Sequence, residues 1–440
     1  MKRPSPRSDG SRSHRSRPSG SRPNGSRSAA PRRLRAFRSA RELACHVLVN
    51  PDQVDQFAPQ RLDEELRNSQ LPDSERRLAT ELVYGTLRRQ NTLDAILRKQ
   101  IHRPWNQVEP LLQAVLRLGA YQLLMLDKIP VHAAVHESVE LCPTFGYSAA
   151  KGFVNGVLRS VSRLITTEQA TAPSTQSFPL DQAEYRQLKD EIFPDPQTQP
   201  AFYFELAFSF PAWLADRWSK RFAGEQLWQL GFALNTPAPL VLRVNRLRRT
   251  AEAYAQLLHA AEIEFHPGAF PETLRLSKPI SPTQLPGWEE GEITVQDETA
   301  QRAARLLDPK SGERIWDVCA APGGKTTHLA ELMGDKGSIL ATDPDAERLR
   351  QVESACQRLQ LHSVQVLPIQ NMGEIAGEFD AALVDVPCSN TGVLGKRPDA
   401  RWRITEKDLI DSPRVQQEIP PAHISAHQTR RASRLFHLQH

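Results

Sequence analysis

Two short strings in this chain join residues that bend a backbone close to a ligand with residues that can hold or move protons. The first is Asp317-Val318-Cys319-Ala320-Ala321-Pro322-Gly323-Gly324-Lys325-Thr326. Small residues and two glycines leave room for the backbone to pass close to a ligand at a strand's carboxyl end. The N–H groups of a helix starting at Gly324 would then face that ligand. This is the logic of nucleotide-binding α/β folds. It is not a phosphate-binding loop of the G-x-x-x-x-G-K-[ST] type. There Cys319 stands where the first glycine is required, so the NTPase reading fails on its own spacing.

Asp343 follows Gly324 by nineteen positions, close to the ~20 expected of a carboxylate that accepts from ribose hydroxyls. Alone, Asp343 could equally cap the helix through Leu349. The glycine turn ahead of it favours the ligand reading. The second string is Asp385-Val386-Pro387-Cys388-Ser389-Asn390-Thr391-Gly392, after the apolar run Ala381 to Val384. Such a run flanked by acids reads as a buried parallel strand. Its carboxyl end is where these folds place their chemistry. Cys388 on its own could be a small buried residue.

The elements that must position these strings follow from periodicity. Arg314 to Val318, Gly337 to Thr342 and Ala381 to Val384 predict parallel strands, with helices after Gln296 and Gly324. Upstream, Pro239 to Asn245 and Thr273 to Leu276 predict strands, and Ala251 to Ala261 a helix, which together suit a small α+β unit. Trp213, Trp218 and Phe222 form an aromatic stripe that predicts core packing. From Ala36 to Arg163 the pattern is helical. Asp73-Ser74-Glu75 opens one helix and Leu111 to Leu124 predicts a buried central one. Residues 164–202 are rich in Thr, Ser, Gln and Pro and predict a linker.

Charge is unevenly distributed. Met1 to Arg38 holds twelve Lys/Arg and one acid, a net of +11 within a chain whose total is +5. The remainder is therefore acidic. An Arg/Ser/Pro/Gly arm of this kind cannot bury enough apolar surface to order itself. It suits either an electrostatic RNA-binding arm or a solvated tail. Five scattered cysteines without a CxxC pair argue against a disulfide framework and a zinc site, and a reducing, cytoplasmic setting is expected. No apolar run approaches a membrane span.

Taken together, the Pro-Gly-Gly-Lys and Asp-x-Pro-Cys-Ser strings resemble the RNA cytosine-5 methyltransferases of the ribosomal RNA small-subunit methyltransferase B type. Arg117 to Leu123, Ala134 to Glu140 and Gly152 to Arg159 resemble the helical RNA-binding domain named for NusB. The resemblance implies a multidomain fold: 1–35 a basic tail, 36–163 an all-α NusB-like domain, 164–202 a linker and 203–295 an α+β RNA-binding subdomain. An α/β Rossmann-like methyltransferase domain would follow over 296–410, incomplete and lacking its last strands, and 411–440 would be an aberrant tail. It implies S-adenosylmethionine as cofactor, held by Cys319, Ala320, Ala321, Pro322, Gly323, Gly324 and Lys325, with Asp343 on the ribose. A further family position holds an acid near the adenine. Gln370 and Asn371 are the candidates here, and Asn371 departs from that pattern. Asp385 would lie between cofactor and cytosine, and Cys388 would assist product release. The implied partner is RNA, small-subunit ribosomal RNA in particular, bound by a monomer.

In that family a second thiol, in a Thr-Cys string roughly fifty residues past Cys388, adds to cytosine C6. C5 then attacks the sulfonium methyl, loses its proton, and elimination frees the enzyme. No cysteine follows Cys388 in this chain. Residues after Asp411 hold Pro413, Pro420, Pro421 and four histidines, with no apolar strand pattern. His423, His427, His437 and His440 lack flanking structure to make a metal site, and none is expected. Three readings stay open: a methyltransferase, a chain inactive as it stands that binds RNA or cofactor, and a chain in which Cys388 itself is the nucleophile.

Overall fold

A computed structural model describes residues 37–49, 58–181, 183–278, 280–370, 378–386 and 391–411. The expectations for Asn371, Cys388, the basic arm and the segment past Asp411 fall outside these residues.

The chain begins with a helical body: α1 (Ala40–Val49), α2 (Ala58–Arg67), α3 (Asp73–Arg88), α4 (Gln90–Lys99), α5 (Pro110–Met125), α6 (Val131–Thr144) and α7 (Lys151–Leu164). Leu111, Leu112, Val115, Leu116, Leu118 and Leu124 are all buried in α5, which makes it the central helix that the apolar run predicts. Pro110 opens it, where the missing N–H costs nothing.

The segment expected to be a linker is folded. β1 (Ile165–Ala170), β2 (Ser177–Pro179) and β3 (Tyr185–Leu188) form an antiparallel sheet in the order β1-β3-β2. Phe178, Tyr185 and Phe193 are buried, and the Tyr203 hydroxyl donates to the Ser177 carbonyl at 2.8 Å. A few aromatics, each hiding about 150–250 Å², replace the periodic aliphatics that a pattern search needs.

α8 (Pro200–Ala207), α9 (Ala212–Ser219) and α10 (Glu225–Asn235) share the core of the helical body. Phe204 stacks on Phe208 and Phe210 at 5.1 and 5.0 Å, and Trp218 meets Phe210 edge-on at 5.3 Å. The aromatic stripe is therefore core. The body runs on to Asn235, past the boundary expected near 203.

Next comes an antiparallel sheet, order β5-β6-β4-β7, from β4 (Leu240–Val244), β5 (Phe265–Pro267), β6 (Thr273–Leu276) and β7 (Ile293–Val295). α11 (Ala251–Ala260) covers it through Tyr254 and Leu258, with Thr250 capping the helix.

The last unit is α/β: α12 (Glu298–Leu307), β8 (Arg314–Asp317), α13 (Gly324–Leu332), β9 (Ser338–Asp343), α14 (Ala346–Leu359), β10 (Val364–Pro368) and β11 (Ala381–Leu383). Among the described residues its sheet has four parallel strands in the order β10-β9-β8-β11. The order reverses between β8 and β11, and ligands of such sheets lie outside the carboxyl ends at that point. After β11 the chain returns to the helical body. Leu394 and Ala400, at the start of α15 (Ala400–Arg403), belong to that body's core. No helix among the described residues is long and apolar enough to cross a membrane.

Candidate functional site

β8 ends at Asp317 and the chain turns through Val318 to Gly323 before α13. Ile315 and Trp316 are buried in the cores to either side of the sheet. Gly323 has φ +102°, and a Cβ there would meet Val352 Cα at 3.1 Å. Glycine is required at this position both for the left-handed backbone and for the approach of α14.

Asp343 stands at the end of the neighbouring strand and is 3% exposed. It accepts from the Ala321 N–H at 3.2 Å and the Asp345 N–H at 3.0 Å. The cap of α14 is Asp345, whose carboxylate accepts from Glu347 and Arg348 N–H, so the capping role considered for Asp343 belongs to its neighbour. A carboxylate offers about four acceptor sites, and two backbone bonds leave Asp343 capacity for a ligand. Arg348 donates to the Ala321 carbonyl at 3.0 Å and lies 3.9 Å from Asp343.

Across the switch point, Lys325 Nζ donates to Asp385 Oδ2 at 2.6 Å, with both side chains partly buried. The two sequence strings thus meet: Asp343 grips the glycine turn from one side and Asp385 reaches it through Lys325 from the other. Gln370 is exposed and donates to the Pro344 carbonyl at 3.2 Å.

Sequence reasoning passed over Asp317 as a site residue. Its carboxyl is 1% exposed. One oxygen accepts from Thr326 Oγ1 at 2.7 Å and the other has no partner. Burial, helped by Asp385 and Asp343 and opposed by the Thr326 hydroxyl and Lys325, pushes it up to about 7. The signal that could have found it is the acid directly before the small-residue turn.

Burial, reinforced by Asp317, Asp343 and Asp385, pushes the Cys319 thiol up to about 12. A thiol so placed stays protonated and cannot be a nucleophile. Cys45, Cys142, Cys319 and Cys356 are all buried. Among the described residues no group of His, Cys, Asp and Glu has the arrangement of a metal site.

Sequence reasoning also missed Arg243. It extends from β4 into the first turn of α13, fully buried, and donates to Glu331 at 2.7 and 3.0 Å, to the Gly324 carbonyl at 2.9 Å and to Thr327 Oγ1 at 3.1 Å. Gln296 accepts from it as well. The antiparallel sheet is thereby fastened to the helix that follows the glycine turn. An isolated arginine on a strand gives no pattern to read.

The strand ends bring together three carboxyl groups, Asp317, Asp343 and Asp385, and two cations, Lys325 and Arg348. With Asp317 ionised the carboxylates outnumber the cations, a balance that suits a ligand carrying positive charge and ribose hydroxyls and disfavours a polyphosphate. A buried acceptor without a partner, Asp317 Oδ1, points to a missing donor. S-adenosylmethionine, with its sulfonium and ammonium, fits on both counts.

Family models match three parts of the chain: the NusB family over residues 38–163, the ferredoxin-like domain of RsmF/B-like methyltransferases over 210–283, and the 16S rRNA methyltransferase RsmB/F over 304–431. The Synechocystis sp. protein named "Probable ribosomal RNA small subunit methyltransferase B" is 37% identical over 389 residues, covering 87% of this chain and 81% of that one. The ribosomal RNA small subunit methyltransferase B of Serratia proteamaculans is 35% identical over 356 residues, covering 79% of this chain and 75% of its own. The crystal structure of PH0851 shares the fold with a TM-score of 0.66 at 23% identity, covering 89% of this chain and 83% of that chain.

Proposed function

The chain belongs to the ribosomal RNA small subunit methyltransferase B family, whose members are RNA methyltransferases that use S-adenosylmethionine; from that premise we propose that its site is built to methylate C5 of a cytosine in small-subunit ribosomal RNA. The observation that carries this reading is the Lys325–Asp385 contact at the strand-order reversal. It joins the glycine turn to the Asp-x-Pro-Cys strand end, one suited to the cofactor and the other to a pyrimidine.

The roles follow from chemistry. The cofactor supplies a sulfonium methyl. The turn from Cys319 to Lys325 and Asp343 hold it, and Asp317 accepts a hydrogen bond inside the pocket. Asn371 is the adenine-side candidate. Asp385, fixed by Lys325, accepts from the exocyclic amine of the cytosine. Addition to C6 needs a thiolate. Cys319 is too firmly protonated, Cys45 and Cys142 lie buried in the helical body, and Cys356 lies buried on α14 in the core of the α/β unit. Cys388 is the remaining thiol, and its role in this family is product release. We therefore propose that these 440 residues bind cofactor and RNA without turning over. The alternative is that Cys388 adds to C6 itself, as its counterpart does in the related DNA enzymes.

A methyl-transfer assay on small-subunit ribosomal RNA with this chain and its Cys388→Ala variant separates the two. No transfer by either, with cofactor binding intact, supports the inactive reading. Transfer abolished by Cys388→Ala assigns that thiol as nucleophile. Transfer that survives Cys388→Ala overturns both. The partner is RNA, met by a cytoplasmic monomer. The basic arm adds counterion release, so removing residues 1–38 would weaken RNA binding and flatten its salt dependence.

A further inference from the structure

Beyond β11 the chain does not stay with the α/β unit. Leu394 is fully buried in the core of the helical body, and Gly395 lies so close to α10 that a Cβ there would meet the Thr236 carbonyl at 3.4 Å and the Leu234 carbonyl at 3.6 Å. Six residues on, Arg401 is sealed from solvent. One of its terminal nitrogens donates to the Arg88 and Ser209 carbonyls and Asn235 Oδ1 at 3.1, 2.9 and 2.9 Å. The other donates to the Leu234 and Leu394 carbonyls, both at 3.3 Å. Its guanidinium lies over the Phe210 ring at 4.2 Å.

No carboxylate pairs with Arg401 among the described residues, and its Nε has no partner. Burial, with Arg88 and Arg89 adding to it, lowers its pKa well below the usual arginine value. A charge buried on carbonyls alone is a poor way to stabilise a fold. The receptor is itself strained: Ser209 holds φ +65°, a region a serine rarely enters. Asn91 N–H donates to Ser209 Oγ at 2.9 Å and Asn91 Nδ2 to the Phe210 carbonyl at 2.9 Å, which keeps that backbone in place. Contacts on either side repeat the pattern. Trp402 Nε1 donates to the Leu87 carbonyl at 2.8 Å, and Arg88 donates to the Gly395 carbonyl at 3.3 Å. Lys396 pairs with Asp297, the residue before α12.

The chain is thus fixed at Asp385 by Lys325 of the glycine turn and, nine residues later, at Leu394 by the helical body. We propose that Arg401 is a positioning residue. It makes the helical body the second anchor of the segment that follows Asp385, so the body sets where a target base can sit and is more than a separate RNA tether. This rests on the methyltransferase reading of Asp385.

The test uses the full chain with Arg401→Gln and Trp402→Phe. Three quantities are read: hydrogen exchange of 391–404, affinity for S-adenosylmethionine, and affinity for a single-stranded cytosine-containing RNA with S-adenosylmethionine present. In Arg401→Gln, exchange should rise and RNA affinity fall, each about tenfold, while cofactor affinity changes less than about twofold. Trp402→Phe loses one bond and should show the same signature at about threefold. It serves as the test if Arg401→Gln does not fold. Faster exchange with RNA affinity unchanged, or no change in exchange, overturns the proposal. A parent chain that binds neither RNA nor S-adenosylmethionine overturns the functional reading beneath it.

Discussion

Arg243 and Arg401 are both sealed from solvent, and each fastens the α/β unit to a different neighbour, yet among the described residues only Arg243 of the two has a carboxylate partner. Arg243 meets Glu331 in the last turn of α13 through two hydrogen bonds, where an antiparallel sheet packs along that helix. Among the described residues Arg401 meets carbonyls, one side-chain amide and a phenylalanine face. A paired charge can hold two units together across a permanent interface. An unpaired one pays its desolvation in full and returns direction, because a planar fork fits a single arrangement of acceptors. The difference teaches that the two contacts of the α/β unit are of different kinds: one closes a core, the other sets an angle.

The largest expected effect follows from breaking the paired side. Glu331→Ala leaves Arg243 charged and buried, and should lower stability by about 3–5 kcal/mol in urea unfolding. The double change Arg243→Met with Glu331→Leu removes both charges and should recover most of that loss. If the double variant is no better than the single, the pair is not the source of the cost. Arg401→Met should cost less, about 1–3 kcal/mol, because it deletes the buried charge together with its bonds and leaves only acceptors unpaired. An Arg401→Met loss as large as that of Glu331→Ala would erase the contrast between the two contacts.

How much of this was legible depended on the kind of signal. The glycine turn, Asp343 and Asp385 could be read because their chemistry is local: a strand, a bend and an acid lie within a few residues of one another. Their meeting across the sheet followed from parallel strand order. The folded segment 164–202 was illegible because its buried residues, Phe178, Tyr185, Leu188, Ile192 and Phe193 among them, are scattered without periodicity. The reach of the helical body to Asn235 was hidden for a similar reason, since Phe204, Phe208 and Phe210 stack through a turn and not along one face. Arg243, Glu331 and Arg401 could not be read at all. Each is a single charged residue whose partners lie mostly far off in the chain, from 53 positions for Gln296 on Arg243 to 313 for Arg88 on Arg401, and a lone arginine in a sequence looks like any solvated one.

Within the pocket, Lys325→Met should weaken S-adenosylmethionine binding modestly and RNA-dependent events more. It frees Asp385 from its 2.6 Å partner and leaves the glycine backbone intact. The contact is part-exposed, so a stability change near zero to about 1 kcal/mol is expected. Calorimetry of cofactor and RNA binding checks the ordering. A cofactor loss larger than the RNA loss would place Lys325 on the cofactor and not on Asp385.

The smallest effect is a matter of pH, and it again sets two buried groups against each other. Asp317 is raised to about 7 by burial, so between its ordinary value near 4 and pH 7 the folded chain holds a proton that the unfolded chain has lost. Its contribution to stability is complete below about pH 4 and is lost as pH rises through 7. His328 is lowered to about 4 by burial and by Arg243. Its contribution is complete above about pH 6.5 and is lost as pH falls towards 4. Between about pH 4.5 and 6.5 the two slopes oppose and largely cancel, each being at most about 1.4 kcal/mol per pH unit. Asp317→Asn should therefore leave a stability that rises with pH across that window, measured by thermal unfolding at fixed ionic strength. Binding of a cationic cofactor favours the ionised Asp317, so S-adenosylmethionine affinity should climb as pH approaches 7 and binding should release protons. Calorimetry in buffers of different ionisation enthalpy would detect that release, and Asp317→Asn should abolish it. Proton release that persists in Asp317→Asn would assign the titration to another group and leave Asp317 a structural acid.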